Sequence, residues 1–79
     1  MHITELSRIT GASLDELRYM ERKGALEPVR VQHGRRGIRE YHHADVRKAQ
    51  LIMKYRQQGF TWGIAVEKAN HELANPTLL

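Results

Sequence analysis

Glycine and proline cut this chain into pieces that cannot stand alone. Gly11, Gly24, Pro28, Gly34, Gly37 and Gly59 punctuate a sequence of 79 residues. The segments between them are short enough that helices or a hairpin formed there would be marginal in isolation. Stability must therefore come from packing several short elements around one small core. No covalent staple helps, because the chain has no cysteine. The same absence excludes a disulfide framework and thiolate-based zinc, iron–sulfur or redox chemistry. The N-terminal "MHITELSRITGAS" lacks the basic start and apolar run of a signal peptide. No apolar stretch approaches the roughly 18 residues of a membrane span. A cytoplasmic protein with no membrane association is the expectation.

The pieces have readable types. Thr4 is placed to cap a first helix of about two turns, with Ile3, Leu6 and Ile9 at three-residue spacing before Gly11 interrupts it. Ser13 and Glu16 form a capping-box pattern ahead of Leu14, Leu17 and Met20, and Lys23-Gly24 closes that second helix. Two short helices joined through Gly11 predict a helix-turn-helix. After Pro28, "VRV" and "IREY" alternate around "HGRRG", which predicts a β-hairpin with a wide, basic tip over residues 29–41. A third helix is expected from His42 or His43. Asp45 would serve its free N–H groups, with Val46, Ala49, Ile52 and Met53 as its buried stripe. Thr61 should cap a fourth helix whose stripe is Trp62, Ala65, Val66, Ala69 and Leu73. The fold class is thus mainly α with a small β-hairpin: four helices and a two-stranded wing. One domain is expected over residues 1–74, with 75–79 a frayed tail.

Charge supplies the first functional content. The formal net charge is +4, but its distribution matters more. Residues 18–39 contain seven basic side chains against two acidic ones, whereas the remainder contains six against seven. A local basic excess is the electrostatic footprint expected of a phosphate-binding surface. At about 100° per residue, Asp15, Arg18, Tyr19 and Arg22 gather on the side of the second helix opposite Leu14, Leu17 and Met20. Arginine can fork onto guanine O6/N7 or phosphate, and a tyrosine hydroxyl can donate to phosphate. Asp15 either pairs locally with a nearby arginine or accepts from cytosine N4. Arg35 and Arg36 at the hairpin tip are phosphate candidates, and strand alternation puts Glu40 opposite Arg39.

In order along the chain, "ITELSRITGAS", "LRYMERKGALEP", "GIREYHHADV" and "YRQQGFTWGIA" resemble the DNA-binding domain of MerR-type transcription regulators across roughly residues 2–70. The resemblance implies a winged helix-turn-helix. The helix at residues 14–23 would enter the major groove of double-stranded DNA, and the hairpin at 29–41 would lie on the flanking backbone. It carries DNA contacts onto Arg18 and Tyr19, and onto Arg39 and Tyr41 in the wing; for Tyr41 a packed hinge role stands beside the contact role. Met20, Ala25 and Ile38 depart from the family pattern. Such regulators usually continue into a long dimerising helix and an effector region. The chain is expected to be a stand-alone small member or the DNA-binding piece of a longer protein, with no cofactor and no small-molecule effector. A homodimer or a cooperative assembly on DNA stays open. Two alternatives keep the fold: an architectural, excisionase-like DNA-bending protein, and a chaperone-modulator-like protein-binding module, of which "WGIAVEKANHEL" is reminiscent.

Other chemistries find little support. His42 and His43 are adjacent and no histidine pair has i, i+4 spacing, so no metal site is indicated. Ser7 and Ser13 read as helix-start residues rather than nucleophiles, and an enzyme is not expected.

Overall fold

The computed structural model describes residues 1–75. The elements in chain order are α1 (Ile3–Thr10), α2 (Leu14–Arg22), β1 (Val29–His33), β2 (Arg36–Glu40), α3 (His43–Gln57) and α4 (Trp62–Ala74). Asn75 caps α4 by donating its N–H to the His71 carbonyl. The rest of the expected tail, 76–79, lies outside the described residues. No helix among the described residues is long and apolar enough to cross a membrane.

Local chemistry explains most boundaries. Ser13 Oγ accepts from the Glu16 N–H at 3.1 Å while Glu16 Oε1 accepts from the Ser13 N–H at 2.9 Å, closing the capping box of α2. Thr61 Oγ1 accepts from the Ile64 N–H at the start of α4. Gly11 ends α1 with φ +78°, a left-handed geometry that residues with a Cβ adopt only at a cost. Lys23 falls just past α2 as its C-cap, one residue inside the expected end.

The start of α1 differs from expectation. Thr4 lies within the helix, whose N-cap is His2 and has no side-chain cap bond. The cause is tertiary: Met1 N donates to the Tyr41 carbonyl and the Tyr41 N–H donates to the Met1 carbonyl, both at 2.9 Å. This bridge holds residue 1 beside the wing exit, and the helix begins directly afterwards. Ser7 is likewise not a helix-start residue; its hydroxyl donates to the Ala12 carbonyl and braces the turn between α1 and α2.

The hairpin tip is tight, not wide. β1 and β2 pair antiparallel from Val29↔Glu40 to His33↔Arg36, leaving only Gly34 and Arg35 to connect them. Gly34 has φ +61° and, among the described residues, no residue other than glycine has positive φ, the pattern of a two-residue type II′ turn with glycine first. The Val31↔Ile38 pair and Glu40 share one face of the ribbon, and Arg30↔Arg39 share the other.

The core is built from Leu6 of α1, Leu17 and Met20 of α2, Ala49, Leu51 and Ile52 of α3, and Ala65 and Ala69 of α4. Ala12, Ala25, Leu26 and Tyr41 join it from the connections. Leu6, Leu17, Met20 and Ile52 are fully buried, each contributing roughly 1.5–3 kcal/mol by removal from water. The small side chains at Ala49, Ala65 and Ala69 let helices approach closely. Ile9, expected on the α1 stripe, is instead 38% exposed. Asp45 is buried yet satisfied: its carboxylate accepts from the His42 N–H at 3.0 Å and from the Glu27 N–H at 3.1 Å. It thereby ties the start of α3 to the segment leading into the wing.

Candidate nucleic-acid interface

α2 presents Arg18 and Arg22 one helical turn apart, and β2 brings Arg39 to the same side. These three arginines line an open hollow of about 380 Å³ together with Glu21. A neighbouring hollow of about 410 Å³ runs from Arg18, Glu21 and Arg39 towards the first residues of α1. The helix-turn-helix therefore places a basic surface between α2 and the wing.

Each expected contact residue has a definite environment. Asp15 is exposed, and its Oδ1 lies 3.8 Å from Arg18 Nη1, so its local partner is Arg18 rather than Arg22. An exposed i, i+3 pair of this kind is weak and leaves both groups accessible. Arg22 is exposed with its guanidinium 6.0 Å from the Tyr19 ring centroid. Arg35 and Arg36 are exposed at the tip, away from the hollow. Arg36 and Arg39 are three residues apart on one strand, so the pleat turns them to opposite faces of the ribbon.

Tyr19 and Tyr41 are both held by neighbouring side chains. Tyr19 is half-buried, its ring against Trp62 of α4. Tyr41 is 2% exposed, a packed position at the floor of the neighbouring hollow, which it helps to line. Its hydroxyl donates to Glu21 Oε2 at 3.3 Å. Burial, and then the adjacent Glu21 carboxylate, hold the phenol above its ordinary pKa of 10.0, so it stays a donor.

Glu21, within this surface, and Arg56, behind the Tyr19–Trp62 pair, had no assigned role from the sequence. Glu21 accepts from Arg39 Nε at 2.6 Å as well as from Tyr41. Its position four residues after Leu17, on the edge of the buried stripe, was the available signal. Arg56 reaches back from the end of α3, its guanidinium 4.7 Å from the Trp62 ring centroid and its Nη1 donating to the Phe60 carbonyl at 2.7 Å. The available signal was a basic residue in the last turn of α3, four residues before Phe60 and six before Trp62.

A helix-turn-helix followed by a short antiparallel wing, with arginines on the second helix and along the wing, defines a winged helix-turn-helix module. Residues 1–68 match the family described as MerR HTH family regulatory protein, and the chain belongs to that family. Its members are DNA-binding transcription regulators, in agreement with the resemblance of the sequence motifs. No curated protein matches the chain significantly.

Proposed function

We propose that the chain is a sequence-specific double-stranded DNA-binding regulator in which α2 occupies the major groove and the wing lies on the flanking phosphate backbone. The observation that carries this is the convergence of Arg18, Arg22 and Arg39 on one open hollow with a single acidic lining residue. Arg18 and Arg22 supply forked donors for guanine edges or phosphate, and Asp15 can accept from cytosine N4. The Tyr19 hydroxyl is a phosphate donor whose ring is held by Trp62. Arg35 and Arg36 are proposed to add phosphate contacts at the wing tip, outside the hollow, with Arg36 on the ribbon face opposite Arg39.

The test is fluorescence-anisotropy titration of duplexes selected by the protein from a random library, against unselected duplex, between about 50 and 200 mM salt. Arg36→Ala should weaken both duplex types alike and lower the salt slope by about one. Arg18→Ala should cost about 1–3 kcal/mol on the selected duplex and less on the unselected one. Unchanged binding in both variants would refute the assignment. Binding as a homodimer or a cooperative assembly would show as paired half-sites in the selected duplexes, at helical-turn spacing.

A further inference from the structure

An acidic side chain at the centre of a basic, phosphate-seeking surface needs a reason. Glu21 is placed between the two hollows that flank the wing, and Arg18 and Arg39 line both of them with it. Its charge opposes any approaching phosphate. Its side chain is only 21% exposed, so it is not an incidental surface acid.

The atoms that Glu21 touches suggest the reason. Its Oε1 accepts from Arg39 Nε, the inner nitrogen of the guanidinium, at 2.6 Å, and its Oε2 accepts from the Tyr41 hydroxyl at 3.3 Å. Among the described residues, the two terminal nitrogens of Arg39 make no hydrogen bond. The inner edge of the group is thus anchored while its outer fork is left open. The fork is the part whose geometry matches a phosphate oxygen pair. Tyr41 is buried in the core, so the carboxylate is itself braced from below. Arg39 also faces Arg30 directly across the ribbon, a like-charge pairing that pushes unanchored side chains apart.

We propose that Glu21 is a positioning residue: it holds Arg39 by Nε so that the terminal nitrogens are presented to DNA phosphate, and it couples the orientation of the wing arginine to α2. This rests on the DNA-binding function proposed above. It makes Glu21 a contributor to affinity although its charge alone is repulsive.

Glu21→Gln and Glu21→Met separate the two effects. Both remove the same negative charge, but only glutamine keeps an acceptor for Arg39 Nε. In anisotropy titrations on one duplex, Glu21→Gln should bind about threefold to tenfold more tightly than Glu21→Met, the worth of one oriented hydrogen bond. In an Arg39→Ala background the two should bind equally. Equal binding of the two variants with Arg39 present, or the same difference with Arg39 absent, would overturn the proposal. A second measurement needs neither folding of the Met variant nor DNA. The Nε–H resonance of Arg39 in the unaltered protein should exchange with water more slowly than those of Arg18, Arg22 and Arg36, and a fast-exchanging signal would overturn the proposal independently. Failure of the unaltered protein to bind any duplex, with a protected Arg39 resonance, would remove the DNA-binding function and leave the positioning contact standing.

Discussion

The ring of Tyr19 on α2 lies against the indole of Trp62 at the start of α4, with centroids 5.2 Å apart and planes tilted by 47°. Arg56 covers the indole and Lys23 approaches the phenol, its Nζ 5.6 Å from the ring centroid. A residue pair thus joins the helix proposed to read DNA to the last helix of the domain. Tilted aromatic pairs at this spacing contribute about 0.5–1.5 kcal/mol beyond simple burial.

Trp62→Ala should therefore destabilise the domain by about 1–3 kcal/mol, less than a fully buried tryptophan because the ring is half-exposed. Tyr19→Phe keeps the ring and should leave stability within about 0.5 kcal/mol of the parent. Urea unfolding read by circular dichroism checks both. In the Tyr19→Phe protein, Trp62 is still the single tryptophan, so its fluorescence should follow the same transition. A Trp62→Ala midpoint equal to the parent's would show that the stack does not tie α2 to α4.

Asp45 holds two backbone N–H groups from different segments. Asp45→Ala should cost about 2–4 kcal/mol, since it leaves the Glu27 and His42 donors without their acceptor in a partly buried site. Amide exchange is the more specific measurement: Glu27 should lose protection together with the first turn of α3. Protection at Glu27 unchanged in the variant would contradict the link.

The α3–α4 latch gives a pH dependence with a definite sign. Tyr55 donates to Glu72 Oε1 at 2.6 Å and Lys54 approaches the same oxygen at 3.4 Å. The Tyr55 hydrogen bond, followed by Lys54 and Arg47, holds the Glu72 carboxyl below its ordinary 4.5. A carboxyl depressed by folding adds stability that is present above its unfolded value and is lost as pH falls through the folded one. The Tyr55 phenol is raised above 10.0, first by its bond to Glu72, so its share is present below 10.0 and lost on the alkaline side. Tyr55→Phe should flatten the loss of stability below pH 4.5 in urea melts. An acid limb as steep as the parent's would show that Glu72 owes nothing to the phenol.

Gly34 is the first residue of the wing turn, at φ +61°. No atom crowds the place where a Cβ would stand, so the cost of Gly34→Ala is conformational, about 1–2 kcal/mol. The strands on either side should exchange their amides faster, while α3 and α4 keep their protection. Duplex affinity should drop although Arg35 and Arg36 are untouched. Wing protection and affinity both at parental levels would show that the turn tolerates an ordinary residue.

Much of this architecture could be read in the chain because its determinants are short-range. The Ser13–Glu16 capping box, Gly11, Gly24 and Gly59, Pro28 and the alternation of 29–31 and 38–41 act within a few residues of themselves, and the elements begin and end near them. The four motif strings extended this to the family, which the match over residues 1–68 bears out. The basic excess of residues 18–39 likewise survives folding as a basic surface between α2 and the wing.

Contacts between residues far apart in the chain had no such signal. Thr4 looked like a cap because the Met1–Tyr41 bridge, spanning 40 positions, is invisible in local sequence. Tyr19 looked like a surface tyrosine, yet its ring is stacked on Trp62; for Tyr41 the sequence left a wing contact and a packed position open, and the fold makes it a core residue bound to Glu21. Arg36 and Arg39 counted equally in the charge, while the pleat sends them to opposite faces and Glu21 anchors one of them. Periodicity and capping specify which segments become helices and strands. The partner that each polar or aromatic side chain meets depends on how those segments dock, and docking is set by packing of the whole core rather than by any neighbouring residue.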